Sequence, residues 1–294
     1  MAQMVEKLEF QIACADYVEL DRSWNTSLFA PISRYVPYTR IYFPVSGRGI
    51  VRFDDQVTVI ERGKIILIPP CAKVHLSCDD RLNKYWMHFA ALMPSTGTDL
   101  FSLFDRIVSI PVEESDFPFV EQLFNIIRRR YREFRKNSND NPFEEQSAMA
   151  ALTLLLEPFL LRVTKFTRDP EFFRILEIMS YLNSNLSRHI TLRELGAHTN
   201  MHPNYFSALF KKQTGMPPIT YLNHLRMSYA MTELRRGEMR INEIAEKVGA
   251  ANPAAFSKMF RKNAGVSPRE YRRARKQGTF PESPGKNAGT SPKG

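Results

Sequence analysis

The sequence has little cysteine, no long apolar run and none of the spacings that hold metals. Its three cysteines, Cys14, Cys71 and Cys78, cannot all pair among themselves, and none stands in a C-x-x-C arrangement, so neither a disulfide framework nor a zinc or redox motif is expected. No uninterrupted apolar stretch reaches the roughly 18 to 20 residues of a membrane span, and the first thirty residues lack the charged segment followed by an apolar one that marks a secretory signal. These readings predict a cytoplasmic location with reduced thiols and no membrane partner. Ser-His-Asp, Cys-His and glycine-rich phosphate patterns are also missing. A metal centre built on His-x-His also needs a nearby carboxylate and a later histidine, whereas His75 is followed here by Leu76 and Ser77. His88 could complete a two-histidine pair, but strand-face histidines are the preferred reading. No catalytic residue, cofactor or metal is therefore expected, and the chain is read as a non-enzyme.

What is present is positive charge, and it is unevenly placed. The net charge of +10 divides into 20 Lys and Arg against 9 Asp and Glu from Pro170 onward, and 21 against 22 before it. All of the excess lies in the C-terminal portion, as expected if one part of the chain meets a polyphosphate and the other does not. An acidic membrane surface or a merely solvated face would fit the charge as well, so a motif has to decide.

The pattern along the chain changes period twice. From Arg40 to about Leu92, short β-branched and aromatic runs (Arg40–Val45, Gly49–Phe53, Gln56–Ile60, Ile65–Ile68, Val74–Ser77, Lys84–Phe89) alternate with Ser46-Gly47, Asp54-Asp55, Arg62-Gly63 and Pro69-Pro70, which predicts a small sandwich or barrel. After Pro111 the spacing becomes helical. Val120, Leu123, Phe124, Ile127 and Tyr131 mark a helix over Phe117 to Lys136, and Met149, Leu152, Leu155, Leu156 and Phe159 mark a second from Pro142 to Val163, with a loop at Asn137 to Asn141 between them. These helices could pack within the chain or against a second copy. Arg168-Asp-Pro170 reads as a boundary, and Gln277 to Gly294, rich in Gly, Pro, Ser and Lys, as a disordered tail.

The C-terminal portion contains an internal repeat. Phe206/Phe256, Ser207/Ser257, Phe210/Phe260, Lys212/Lys262, Gly215/Gly265, Pro218/Pro268 and Tyr221/Tyr271 match at an offset of 50 residues. Each copy is preceded by a short apolar helix, Leu192 to Thr199 behind a capping box Thr191-x-x-Glu194, and Ile241 to Val248, here at an offset of 49. Helix, turn, helix is thus expected twice. In the second helix of the first copy, Phe206, Leu209 and Phe210 form an inward stripe while Asn204, Ser207, Ala208 and Lys211 recur on the opposite face; the second copy repeats this with Phe256, Met259 and Phe260 inward and Ala254, Ser257, Lys258 and Arg261 outward. A short helix with small and donor residues outward fits a major groove. Pro218 to Arg236 reads as a longer connecting helix of about 28 Å at 1.5 Å per residue, close to the roughly 34 Å between successive major-groove turns on one side of the duplex.

The repeat, the pattern Tyr-Leu-x-x-x-Arg-x-x-x-Ala at Tyr221, Leu222, Arg226 and Ala230, and the ending Gly265-x-Ser-Pro-x-x-Tyr-Arg272 resemble the AraC/XylS family of transcription regulators. Carried over by position, the resemblance implies base contacts at Asn204, Ser207 and Ala208 and at Ala254, Ala255 and Lys258, with Lys211 and Arg261 facing phosphates. The second copy departs from the family where Gly249-Ala250 replaces Gly-Phe and Ala255 replaces an aromatic, so it is expected to position more than to discriminate. Tyr38 to Ala91 is similar, more weakly, to the family's cupin-like sensor domain, and Trp86 takes the place of a tryptophan that stacks on sugar in the arabinose-responsive member. Strand alternation alone sets Arg40 with Tyr42 on one face and Trp86 with His88 on one face, an aromatic platform with donors suited to a polar small molecule.

The resulting expectation is an α+β multidomain chain. It comprises an N-terminal cupin-like small β-barrel with two following helices (1–111, then 112–169 as a helical dimerisation or linker segment), an all-α double helix-turn-helix domain (170–276) and a tail (277–294). Its partners would be double-stranded promoter DNA, a small-molecule effector such as a sugar, a second copy in a homodimer and RNA polymerase. Two rivals stand beside this: a metal-dependent cupin enzyme fused to a DNA-binding module, and a dimerising regulator without a ligand.

Overall fold

A computed structural model describes residues 8–25, 36, 38–70, 72, 74–94, 96–104, 106–136, 142–163 and 170–277. The loop expected at Asn137 to Asn141, Arg168 and Asp169 of the boundary, Cys71, and the tail beyond Gln277 lie outside the described residues, as does the side chain of Tyr131.

The N-terminal part is an antiparallel sheet of β1 (Glu9–Asp21), β2 (Thr39–Phe53), β3 (Gln56–Glu61), β4 (Lys64–Ile68), β5 (Val74–Leu92) and β6 (Val108–Pro111), ordered β1-β5-β2-β4-β6 with β3 paired to β2. The runs expected as separate strands on either side of Ser46-Gly47 are one long strand. Its interruption is absorbed as a bulge, with register shifts against β5 between Pro44 and Ser46 and between Gly47 and Gly49. Gly47 sits at φ +77 with the Arg81 carbonyl oxygen 2.1 Å from where a Cβ would be, so only glycine lets the two backbones approach this closely. In the same way Val74–Ser77 and Lys84–Phe89 are the ends of one strand, β5. β1 and β6 were not anticipated.

The central strands are buried on both faces, which explains their nearly continuous apolar character. On one face Ile41, Phe43, Met87 and Phe89 are fully buried and share one core with residues of α1 (Phe117–Lys136) and α2 (Pro142–Val163), whose limits agree with the sequence spacing. Phe43 stacks on Phe124 at 5.8 Å between ring centres and tilts against Phe117 at 5.0 Å. Covering a phenylalanine this completely contributes about 2 to 3 kcal/mol. α2 contributes Ala148, Leu152, Leu155, Leu156 and Phe159 to the same core. Phe143–Val163 is long and apolar enough to cross a membrane by length and composition, contrary to the sequence expectation. Its inner face is nonetheless buried in this core, as in the core helix of a folded unit.

Among the described residues, seven α-helices follow α1 and α2: α3 (Pro170–Ser184), α4 (Leu192–His198), α5 (Pro203–Thr214), α6 (Pro218–Arg236), α7 (Ile241–Lys247), α8 (Pro253–Ala264) and α9 (Pro268–Gln277). The core of the sheet and α1–α2 runs without a break through Leu100 and Phe101 into Ile175, Met179, Leu195, Phe206, Phe210 and Tyr221. The second helix pair has a separate core of Met227, Met231, Ile244, Phe256, Phe260 and Tyr271. Polar contacts also tie α3 and α6 to the sheet domain: Asn183 Nδ2 donates to the Thr96 carbonyl at 3.0 Å, and the Ser102 and Tyr221 hydroxyls meet at 3.4 Å.

Candidate nucleic-acid interface and effector site

The two helix pairs are built alike down to the termini. α5 begins with His202, whose Nδ1 accepts from the Asn204 N–H at 3.4 Å, and α8 with Asn252, whose Oδ1 accepts from the Ala255 N–H at 2.8 Å. Both start with proline and end on a left-handed glycine, Gly215 and Gly265, each at φ +79 and each donating its N–H at 2.8 Å to the carbonyl four residues back. Inside, Phe206–Phe210 and Phe256–Phe260 lie 5.8 Å apart, and Phe210–Tyr221 and Phe260–Tyr271 meet edge-on at 5.4 Å. The sequence repeat is therefore a repeat of packing.

Capping of the preceding helices is divided differently from the expected box. The Thr191 hydroxyl accepts from the Glu194 N–H at 3.2 Å. The Glu194 carboxylate turns instead to the Tyr181 hydroxyl at 2.5 Å and to Arg188 at 3.0 Å, which together hold it below the usual carboxylate range. In the second pair Glu243 does reach back, accepting from the Arg240 N–H at 2.7 Å.

The outward faces carry the residues expected from the sequence. Asn204, Ala208 and Lys211 on α5 and Ala254, Ala255, Lys258 and Arg261 on α8 are exposed, and Ser207 and Ser257 are partly so. Tyr205, 57% exposed on α5, had been missed. The signal was available, because the offset of 50 sets it opposite Ala255, the position where the second copy lacks an aromatic. α6 joins the two pairs, and Arg226 of the family pattern is a fastener within it. Its Nε donates to the Leu186 carbonyl at 2.8 Å and its guanidinium to the Arg188 carbonyl at 2.6 Å, closing the turn after α3, while burial lowers its pKa. Arg226→Ala leaves two carbonyls unsatisfied and should destabilise the C-terminal portion by about 2 to 3 kcal/mol, read as a lowered urea midpoint. Arg226→Lys should recover only part of this, because one ammonium cannot span both acceptors.

The four residues expected to form a pocket are brought together on one strand face. Arg40 pairs with His88 across β2 and β5, and Tyr42 with Trp86. All four are buried, at 1, 2, 4 and 6% exposure respectively, on the side of the sheet turned away from α1 and α2. The Trp86 and His88 rings meet at 4.9 Å. Lys84, two residues along the same face, was not anticipated: its Nζ lies over Tyr42 at 3.3 Å and Trp24 at 4.2 Å, so ring faces support its charge. His75 is exposed while His88 is buried, so the pair does not form a common site. Among the described residues no three His, Cys, Asp or Glu gather to hold a metal.

The open space lies beside this face. A cleft of about 1080 Å³ has Tyr38, Pro69, Pro70, Ala72, Ala90, Leu92 and Asp99 on the sheet side and residues of α5 and α6 opposite, among them Ala208, Lys211, His224, Thr232 and Arg236. Tyr38 reaches across it, its hydroxyl 3.5 Å from that of Thr232 and its ring under the Arg235 guanidinium at 5.1 Å. Two residues expected to contact DNA thus also line the space between the two parts of the molecule.

Asp99 has its carboxyl pushed up to about 7 by burial, against the opposing donors Thr39 Oγ1 at 2.8 Å and the Phe101 N–H at 2.9 Å. A carboxyl with a raised folded-state pKa binds its proton more tightly when folded. Its contribution to stability is complete below about pH 4, the unfolded value, and is lost as pH rises through 7. The melting temperature should therefore fall between about pH 4 and 7 and level off above, and Asp99→Asn should flatten that fall. An unchanged slope in the variant would remove Asp99 as its source.

Two equivalent capped helix pairs, joined by one helix and carried behind a sheet domain, define a double helix-turn-helix DNA-binding protein. Comparison with known proteins agrees. Residues 195–274 match a family model described as a helix-turn-helix domain. An uncharacterized HTH-type transcriptional regulator of Bacillus subtilis, YobQ, is 34% identical over 94 residues, 32% of this chain and 39% of that protein. The lactose operon transcription activator of Staphylococcus xylosus is 23% identical over 234 residues, 79% of this chain and 82% of that one. In three dimensions the chain resembles ToxT of Vibrio cholerae, solved with an unsaturated fatty acid bound, at a TM-score of 0.57 and 15% identity over 90% of this chain and 95% of that one, which shows a shared fold. Residues 195–274 thus carry a helix-turn-helix domain of the kind found in transcription regulators, and the similarity to the lactose operon transcription activator extends over most of the chain.

Proposed function

We propose that the protein reads a promoter sequence chiefly through α5 and responds to a small molecule held between its sheet domain and that helix. Asn204, Ser207 and Tyr205 are the side chains that reach base edges, Ala208 leaves room for a thymine methyl, and Lys211 and Arg261 meet phosphates. Ala254, Ala255 and Lys258 on α8 hold the second helix against the backbone. The observation that carries the reading is the cleft, because a molecule in it touches the sheet domain and Ala208 and Lys211 of the reading helix at once. Binding there would bias the presentation of α5 only if it favours one arrangement over another. Sugar operons are the setting named for one relative, and a fatty acid is the ligand named for one structural neighbour. Both suit a metabolite-sensing role, and RNA polymerase is the partner on which an activator would act. Sequencing the fragments that the protein retains from its own genomic DNA tests the reading. A shared motif upstream of metabolic genes is expected, and unselective retention would defeat it.

A homodimer is supported by the outer face of α2, where Phe143, Leu154 and Leu161 are 75, 50 and 61% exposed. Apolar side chains so placed on a helix otherwise buried suit a second copy. Leu154→Glu with Leu161→Glu should convert a dimer to a monomer in sedimentation equilibrium.

A further inference from the structure

Among the described residues, no carboxylate pairs with the cation buried on the face of β2 and β5. Arg40 is 1% exposed, its guanidinium donates to the Ala72 carbonyl at 2.9 Å, and its Nε has no acceptor. The indole N–H of Trp86, diagonal to it across the same strand pair, has none either. A guanidinium stays protonated in any folded protein, and a buried charge held by one neutral carbonyl is poorly compensated. The buried carboxylates among the described residues are engaged elsewhere, Asp99 with Thr39 and the Phe101 N–H, and Glu233 with Arg236 at 3.1 Å. The oxygen that Arg40 does hold belongs to Ala72, which with Pro69 and Pro70 forms a wall of the cleft. Ala90 and Leu92, next on the Trp86–His88 face, line the same cleft. Arg40 is therefore one carbonyl away from an open chamber large enough for a metabolite.

We infer that the effector is an organic acid whose carboxylate displaces the Ala72 carbonyl from Arg40, with its body lying in the cleft at the edge of the sheet. This rests on the proposed sensing role and narrows it. The guanidinium fork matches a carboxylate with two parallel hydrogen bonds, one of them to the idle Nε, and the Trp86 N–H supplies a third donor to the acid or to a hydroxyl beside it. A neutral sugar matches less well. Its hydroxyls need acceptors as well as donors, whereas both unused groups here, Arg40 Nε and Trp86 Nε1, are donors. Ala72 lines the cleft opposite α5 and α6, so releasing its carbonyl gives the ligand a mechanical connection to the reading helix.

The chain contains two tryptophans, Trp86 on this face and Trp24 against Lys84, so tryptophan emission of the full-length protein reports on this region alone. Titrations with two matched pairs, D-galacturonate against D-galactose and benzoate against benzamide, provide the probes. At least one acid should shift the emission saturably and bind about tenfold or more tightly than its neutral partner. Arg40→Met should abolish that response and Arg40→Lys weaken it. Without probe, Arg40→Met should melt no lower than the parent, since it removes an uncompensated charge. A fall in its melting temperature beyond about 5 °C, with the emission response retained, would make Arg40 a structural residue and overturn the inference. So would silence from both acids up to about 10 mM, beyond the weak end of useful affinity. A neutral member binding as tightly as its acid would overturn the acid class while leaving small-molecule sensing in place. An acid response that leaves binding to the retained genomic fragments unchanged would uphold the acid site and defeat the sensing role.

Discussion

Replacing Lys211 and Arg261 together by alanine should weaken binding to every duplex, cognate or scrambled, by roughly tenfold for each charge removed at moderate salt. It should also flatten the plot of log affinity against log salt by about 1.8, close to 0.9 for each lost phosphate contact. Both side chains are exposed in the last turn of their helices, so the variant should fold and melt as the parent does. Asn204→Ala should behave in the opposite manner. Losing a bidentate base contact costs about 1 to 3 kcal/mol on the cognate site and little elsewhere, with the salt slope kept. Gel-shift titrations at several salt concentrations separate the two patterns. Equal losses on cognate and scrambled DNA for Asn204→Ala would reassign it to the backbone. Lys211 carries a second consequence because it lines the cleft: its replacement should also change the response to an effector, whereas replacing Arg261 alone should not.

How much of this could be read from residues depends on how local the cause is. Helices α1, α2 and α6 agree with the sequence spacing because their limits are set by prolines and by apolar residues three and four apart. The repeat was legible because packing two equivalent aromatic pairs demands the same side chains twice. β1 escaped notice because its partner is β5, some seventy residues away, and its thirteen residues mix Asp, Glu and Ala with apolar positions of middling burial. Long-range pairing, not local pattern, makes it a strand. The Arg40–Tyr42–Trp86–His88 face was visible through alternation, but which side of the sheet it occupies was not, since both sides are buried. The cleft has no local signature, because its walls come from segments as distant as Gln11 and Arg236. The same is true of Glu194, which the sequence assigns to a capping box and the structure gives to Tyr181 and Arg188.

The equivalence of the two helix pairs makes a last prediction in which structure and function separate. Phe206 and Phe256 occupy matching places, both fully buried and 5.8 Å from their partners, so truncation of either to alanine should cost about 3 to 5 kcal/mol. The distribution of that loss should differ. Phe206 belongs to the core continuous with the sheet domain, and Phe256 to the separate core of the second pair. Phe256→Ala should therefore unfold α7 to α9 in an early, independent transition, leaving α5 able to discriminate sequence with lowered overall affinity. Phe206→Ala should instead lower the main transition, which includes the sheet, and abolish discrimination because Asn204 and Ser207 lose their platform. Denaturation followed by both circular dichroism and tryptophan emission tests this, since both tryptophans lie in the sheet domain. The emission midpoint should move for Phe206→Ala and stay for Phe256→Ala. If both variants shifted emission equally, the two cores would be one cooperative unit, and the assignment of reading to α5 and anchoring to α8 would have to rest on DNA contacts alone.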